Sequence, residues 1–139
     1  MNFHGGGWVL GLYNNHRWKA AHLAKATGCR VLMVDYRLAP ENPFPAALED
    51  CLAVYRGLLK DGISPQHIVL AGDSAGANLT LATALSLRDS GEPLPAALVC
   101  ISPMTDLACK GVTFWTKMIR FFLLNWRMVS GNIMRETHP

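Results

Sequence analysis

Residues 72–76 read Gly72-Asp73-Ser74-Ala75-Gly76, a G-x-S-x-G pattern that comes directly after the apolar run 68–71. A helical pattern follows it, so we expect Ser74 at a tight turn between a buried strand and a helix. Small neighbours let the chain pass through strained torsions there, and the turn would hold the hydroxyl of Ser74 above the sheet. The pattern alone could arise by chance, and its place between a strand and a helix makes it informative.

Three short apolar runs predict the strands of one parallel sheet: Val31–Val34, Ile68–Ala71 and Ala97–Ile101. None of them alternates polar with apolar residues, which is typical of strands covered on both faces. Helical spacing separates the runs, and it predicts helices from about Asn15 to Gly28, across Leu48–Leu59 and from about Gly76 to Ser90. This alternation predicts an α/β fold with a parallel sheet, flanking helices and right-handed crossovers.

The composition indicates a globular chain rather than a disordered tail or a nucleic-acid-binding arm. Half of the 139 residues are hydrophobic, and 13 Lys and Arg against 10 Asp and Glu leave a net charge of only +3. No apolar run reaches the ~18 residues that a membrane-spanning helix needs. The first residues lack the basic and apolar regions of a secretory signal, so a cytoplasmic location is the default expectation.

The four cysteines are far apart in the sequence and lack the close C-x-x-C pairs of a zinc or redox site. Cys29, Cys51 and Cys100 lie in apolar stretches, where a free thiol behaves as a small hydrophobic group. We therefore expect these three side chains to be buried, and we expect no metal site.

A second motif, His4-Gly5-Gly6-Gly7-Trp8, stands at the start of the chain. Three glycines in a row leave no Cβ to block the backbone, so their N–H groups can converge on a carbonyl oxygen. The alternative interpretation is a flexible tail. A phosphate-binding loop is excluded because no G-K-[ST] follows the glycines.

Together these motifs resemble the hormone-sensitive-lipase-like branch of the α/β-hydrolases, which carries an HGGG loop and a G-x-S-x-G turn. The segments 35–41 (Asp-Tyr-Arg-Leu-Ala-Pro-Glu), 43–50 and 102–107 are similar to stretches of that branch, so the resemblance covers about residues 3–107. It implies an incomplete α/β-hydrolase catalytic domain over residues 1–139. It also implies a carboxylic ester hydrolase, an esterase or lipase, that acts on a small-molecule ester without a metal or other cofactor. The oligomeric state stays open.

The resemblance also implies roles for particular residues. Ser74 would be the nucleophile that attacks an ester carbonyl and becomes acylated. The N–H groups of Gly5, Gly6, Gly7 and Ala75 would form the oxyanion hole. His4 would hold the glycine loop by hydrogen bonds rather than take the proton of Ser74, and Asp73 would be a local hydrogen-bonding residue rather than the triad acid.

The sequence departs from the family pattern in its length. Members of the branch place an acid and then a histidine well downstream of the serine, and the only histidine after Ser74 here is His138. Asp106 with His138 satisfies the required order, although Thr105-Asp106 is equally a helix N-cap signal. We therefore expect a partial chain without the triad acid and histidine, in which residues 1–3 are what remains of a central strand.

Residues 108–139 form a possible lid or insert, because bulky apolar side chains recur there at roughly helical spacing; a core helix is the simpler interpretation. Two alternatives to an active esterase remain open. One is a relative that binds a small ligand without catalysis, and the other is an inactive fragment.

Overall fold

The structure, a computed structural model, describes residues 1–106. Residues 1–104 belong to one compact unit. Four strands form its sheet: β1 (Asn2–Phe3), β2 (Met33–Val34), β3 (Val69–Asp73) and β4 (Ala97–Ile101). Three α-helices connect them, α1 (Asn14–Thr27), α2 (Ala46–Lys60) and α3 (Ala75–Asp89), and a short 3-10 helix spans Pro65–His67. All strand pairs are parallel, in the order β2-β1-β3-β4, so the predicted α/β fold is confirmed. The predicted lid at 108–139 and His138 lie outside the described residues.

The helices end where the sequence places residues that tolerate a left-handed backbone. Gly28 ends α1 with a φ of 68°, and this left-handed conformation is not strained because glycine has no Cβ. Gly62 follows α2 with a φ of 83°. The predicted helix ends are therefore confirmed to within a few residues, and the short loops return the chain to the same edge of the sheet each time.

Strand β1 lies at the centre of the described sheet, as predicted, although it has only two residues. Phe3 pairs with Val34 of β2 on one side and with Gly72 of β3 on the other. Its ring is fully buried, with Leu70, Tyr55 and other side chains of β3, α2 and α3 in the same apolar cluster. Residues 4–7 leave this central strand at the same edge as residue 74 leaves β3, so the two sequence motifs are brought together.

The prediction that β4 is covered on both faces is wrong for the described residues. Val99 and Ile101 are 47% and 52% exposed, and their register partners Ala71 and Asp73 place them on one face of the sheet. The thiol of Cys100 points to the other face, where it contacts the carbonyl oxygen of Ala77 in α3. The reason is that α3 packs on one face only, while residues 1–106 leave the opposite face of β4 largely open. A continuous apolar run therefore did not indicate coverage here.

The cysteines differ in their surroundings. Cys51 is fully buried in the core, and burial raises the pKa of its thiol to about 12. Cys100 is half-buried, but Cys29 is exposed, so its predicted burial is wrong. Cys29 follows the glycine that ends α1 and lies in the loop before β2, where no layer of the fold covers it. Within residues 1–106 no helix is both long and apolar enough to cross a bilayer.

Candidate active site

Ser74 occupies a strained turn between β3 and α3. Its φ of 53° and ψ of −117° lie in a region that residues with a side chain rarely adopt, at a cost of about 1–3 kcal/mol. The turn is fixed from outside, because the backbone N–H of Ser74 donates a 2.9 Å hydrogen bond to the carbonyl oxygen of Ile101 at the end of β4. The predicted strand, turn and helix are confirmed, and the side chain is half-buried rather than enclosed in the core.

The two glycines of the G-x-S-x-G pattern allow the turn to be this tight. A Cβ on Gly72 would lie closer than 3.0 Å to the backbone of Gly76 and Ala77. A Cβ on Gly76 would lie closer than 3.0 Å to the backbone carbonyl groups of Phe3 and His4 in and after β1. Only hydrogen fits at either position, so α3 packs directly against its own strand and against the central strand.

The glycine loop passes beside Ser74. An ideal Cβ on Gly5 would be 3.3 Å from the Cβ of Ser74 and 3.0 Å from the carbonyl oxygen of Asp73. The loop then turns, and the carbonyl oxygen of Gly6 accepts hydrogen bonds from the N–H groups of Val9 and Leu10 at 3.2 and 3.0 Å. The structure therefore brings the two motifs together, as the sequence predicts.

Several backbone N–H groups of the glycine loop and of the start of α3 have no backbone acceptor within residues 1–106. Within residues 1–106, no hydrogen bond to another backbone group is found from the N–H groups of Gly5, Gly6 and Gly7. Ala75 is the first residue of α3, so its N–H has no intrahelical acceptor, and it lies at the positive end of the helix dipole. Such groups can stabilise a negative oxygen. That the four N–H groups act on one ligand atom stays a prediction.

His4 supports the glycine loop from below. Its ring is fully buried and stacks on Tyr36, with the ring centroids 4.3 Å apart and the planes 9° from parallel. Its Nδ1 lies 2.8 Å from the carbonyl oxygen of Gly5, so Nδ1–H donates to the loop. Its Nε2 has no partner within residues 1–106, and no hydrogen bond joins it to Ser74. The geometry favours the predicted supporting role over that of a base.

Tyr36 is a supporting residue whose role the sequence did not reveal. Its hydroxyl donates a 2.6 Å hydrogen bond to the carbonyl oxygen of His4, in a site that is almost fully buried. Burial raises the pKa of Tyr36 far above its ordinary value, so the hydroxyl keeps its proton and can donate. Tyr36 thus holds the backbone at the point where the glycine loop leaves β1.

We expect Tyr36→Phe to lower the free energy of unfolding by about 1–3 kcal/mol, because it leaves the carbonyl of His4 buried without a donor. Urea denaturation measures this loss. We expect kcat/KM for ester hydrolysis to fall as well, because the glycine loop loses its anchor. Tyr55→Phe is a matched control: it removes another hydroxyl hydrogen bond, to the carbonyl oxygen of Pro93 at 2.9 Å, away from the loop. An unchanged kcat/KM in Tyr36→Phe alongside a loss of stability would contradict the role in the site.

Arg37 joins the end of β2 to the start of α2. Its side chain forms ion pairs with Glu49 and Asp50 at 3.1 and 2.9 Å, and its backbone N–H donates to Asp50 at 2.8 Å. Partial burial raises the pKa of Asp50, but the side-chain and backbone hydrogen bonds from Arg37 outweigh it and hold that pKa below its ordinary value. These contacts tie the segment 35–37 to α2 and so help to position Tyr36 under the glycine loop.

Asp73, directly before the serine, is paired with Lys19 of α1 at 2.5 Å. This agrees with the predicted local hydrogen-bonding role.

The ring of His16, also on α1, lies 5.2 Å from the ring of His4. The pKa of His16 is lowered, first by burial and then by the neighbouring His4 and Lys19, although Asp73 opposes the shift. In α3, the side-chain amide of Asn78 donates a 2.7 Å hydrogen bond to the carbonyl oxygen of Met104, which follows β4.

No histidine of the described residues forms a hydrogen bond with Ser74. Nδ1–H of His22 donates to the carbonyl oxygen of Trp18, and the side chains of His22 and His67 are exposed. His16 accepts at Nδ1 from the backbone N–H of Tyr13. Residues 1–106 also contain no group of three His, Cys, Asp or Glu side chains that could hold a metal ion.

Comparison with known proteins was consistent with this geometry. Residues 1–130 match a family described as having the alpha/beta hydrolase fold. The chain is 52% identical over 125 residues to an acetyl-hydrolase of Streptomyces hygroscopicus, and the aligned region covers 90% of this chain and 42% of that protein. It is 42% identical over 121 residues to an esterase of Acinetobacter venetianus, and this aligned region covers 87% of this chain and 38% of that protein.

A solved structure is also similar. The crystal structure of an esterase from the bacterial hormone-sensitive lipase family superposes with a TM-score of 0.79 at 52% sequence identity, covering 86% of this chain and 40% of that one. The chain therefore spans about two fifths of the length of these relatives.

Proposed function

This chain belongs to the hormone-sensitive-lipase-like branch of the α/β-hydrolase fold family, and from that premise we propose that its protein is a serine carboxylesterase. The observation that supports this most directly is the strained backbone of Ser74 beside the glycine loop. The substrates would be small esters with short or medium acyl chains. The acetyl-hydrolase and esterase relatives support that class of substrate.

The proposed reaction has two steps at one serine. In the first, Oγ of Ser74 attacks the carbonyl carbon of the ester, its proton passes to a base, and the alcohol leaves with a proton. In the second, water attacks the acyl group on Oγ and releases the carboxylic acid. In both steps a carbonyl oxygen becomes negative, and the N–H groups of Gly5, Gly6, Gly7 and Ala75 would stabilise it. Removing one such donor typically costs about 2.7–4 kcal/mol of transition-state stabilisation.

The base of the triad is to be sought outside residues 1–106. His4 donates to the carbonyl of Gly5 and packs under the loop, and no other histidine in that range forms a hydrogen bond with Ser74. The described residues would therefore contribute the nucleophile, its turn and the oxyanion hole. No metal is needed for this chemistry, because a histidine can activate the serine.

A fluorophosphonate probe tests the proposal on the intact protein. We expect one covalent adduct, located by peptide mass spectrometry on the fragment that contains Ser74, and competition by p-nitrophenyl acetate. Heat-denatured protein is the control, because an ordinary serine hydroxyl does not react. Saturable binding of the ester without labelling would instead indicate a ligand-binding relative and would overturn the proposal.

A further inference from the structure

The carboxylate of Asp73 lies between the glycine loop and helix α1. One oxygen, Oδ1, is 2.5 Å from Nζ of Lys19. The other, Oδ2, packs against Gly5, since an ideal Cβ on that glycine would be only 2.7 Å from it. The same ideal Cβ would be 3.3 Å from Cβ of Ser74. Asp73 and Ser74 therefore flank Gly5 from adjacent positions.

A carboxylate in this place opposes the proposed chemistry. The reaction places a negative charge on an oxygen held by the N–H groups around Gly5, and a second negative charge a few ångströms away repels it. The side chain of Asp73 is only 30% exposed, so water screens this repulsion incompletely. A cation that neutralises Asp73 would remove the repulsion without touching the substrate.

Lys19 is the only cation found in an ion pair with Asp73 among residues 1–106. His16 also faces Asp73, but its lowered pKa favours the neutral imidazole. Arg37 is engaged by Glu49 and Asp50. Lys19 is itself 39% exposed and lies on α1, an element that contributes neither the serine nor the glycine loop.

We propose that Lys19 is a positioning residue of the esterase site: it pairs with Asp73, fixes the orientation of that carboxylate beside Gly5 and cancels its charge. This inference rests on the proposed function. It assigns to helix α1 an electrostatic task that is separate from packing, and it predicts that the two members of the ion pair are not equivalent. Loss of the lysine leaves an uncompensated negative charge, whereas loss of the aspartate charge does not.

Four variants of the intact protein test this asymmetry in steady-state hydrolysis of p-nitrophenyl acetate. We expect Lys19→Met to lower kcat by about tenfold with little change in KM, after allowance for solvent screening of a partly exposed pair. Asp73→Asn and the double variant Lys19→Met/Asp73→Asn should stay within about threefold of the wild-type kcat, because neither leaves an unpaired charge. Lys25→Met, which removes an exposed lysine from the last turn of the same helix, should have no effect.

The outcomes separate this inference from a merely structural ion pair and from failure of the proposed function. If the pair only pins α1, Lys19→Met, Asp73→Asn and the double variant lose activity equally, and the inference is overturned. An unchanged kcat in Lys19→Met also overturns it. If Asp73→Asn does not fold, Asp73→Ser serves as the neutral variant. Absence of fluorophosphonate labelling in the wild-type protein would instead contradict the proposed function itself.

Discussion

Replacing Ser74 with alanine should lower kcat for ester hydrolysis by about 10⁶-fold, the effect seen when the serine nucleophile is removed from a serine protease. The loss is this large because the neighbouring side chain at the end of β3, Asp73, is a carboxylate paired with Lys19 and offers no hydroxyl nucleophile in place of Ser74. Residual catalysis would come from the oxyanion hole and from substrate binding alone. Initial rates with p-nitrophenyl acetate and with p-nitrophenyl butyrate measure the effect.

Ser102→Ala is the matched control for this variant. Ser102 is a second serine with a positive φ, 48°, and it follows β4 as Ser74 follows β3. It is exposed, and within residues 1–106 it forms no hydrogen bond with the glycine loop. We expect it to keep wild-type activity, and we expect both variants to keep the wild-type melting temperature to within a few degrees. Substantial hydrolysis by Ser74→Ala would remove Ser74 from its proposed role.

The elements that the sequence predicts correctly are those determined by neighbouring residues. The turn at Ser74 depends on small residues within the pattern 72–76, and the ends of α1 and α2 depend on Gly28 and Gly62. The order of the strands depends on more than local signals. The sequence predicts only the central place of β1, because two motifs together resemble a family in which that strand is central.

The interactions that the sequence did not reveal join residues that are far apart along the chain. Tyr36 is 32 positions from His4, and Lys19 is 54 positions from Asp73. Tyr36 lies in a segment that resembles the family, but the segment does not reveal which group its hydroxyl binds. Nothing in the composition around Lys19 distinguishes it from an ordinary surface lysine. The exposure of β4 is also a tertiary property, since it depends on which faces the helices cover. Pairs of this kind become visible only when the sheet brings separate segments to one edge.

The second large effect concerns the fold rather than the chemistry. We expect Gly76→Ala to destabilise the protein by more than about 3 kcal/mol, at or beyond the upper end of ordinary overpacking. The added methyl group would overlap the backbone carbonyl groups of Phe3 and His4. Backbone cannot move aside as a side chain can, so α3 would have to separate from the central strand. Because native proteins are stable by only about 5–15 kcal/mol, such a loss is a large part of the total.

Gly57→Ala is the matched control for Gly76→Ala, because it introduces the same methyl group in the interior of a neighbouring helix. Gly57 lies within α2, and a Cβ there would meet no atom within 4 Å. Alanine should therefore stabilise α2 by about 0.5–1 kcal/mol, through its higher helix propensity and the smaller entropy of the unfolded chain. Urea denaturation of the intact protein measures both variants. If Gly76→Ala were as stable as the wild type, α3 could not lie against the backbone of β1, and the turn that holds Ser74 beside the glycine loop would have to be built differently.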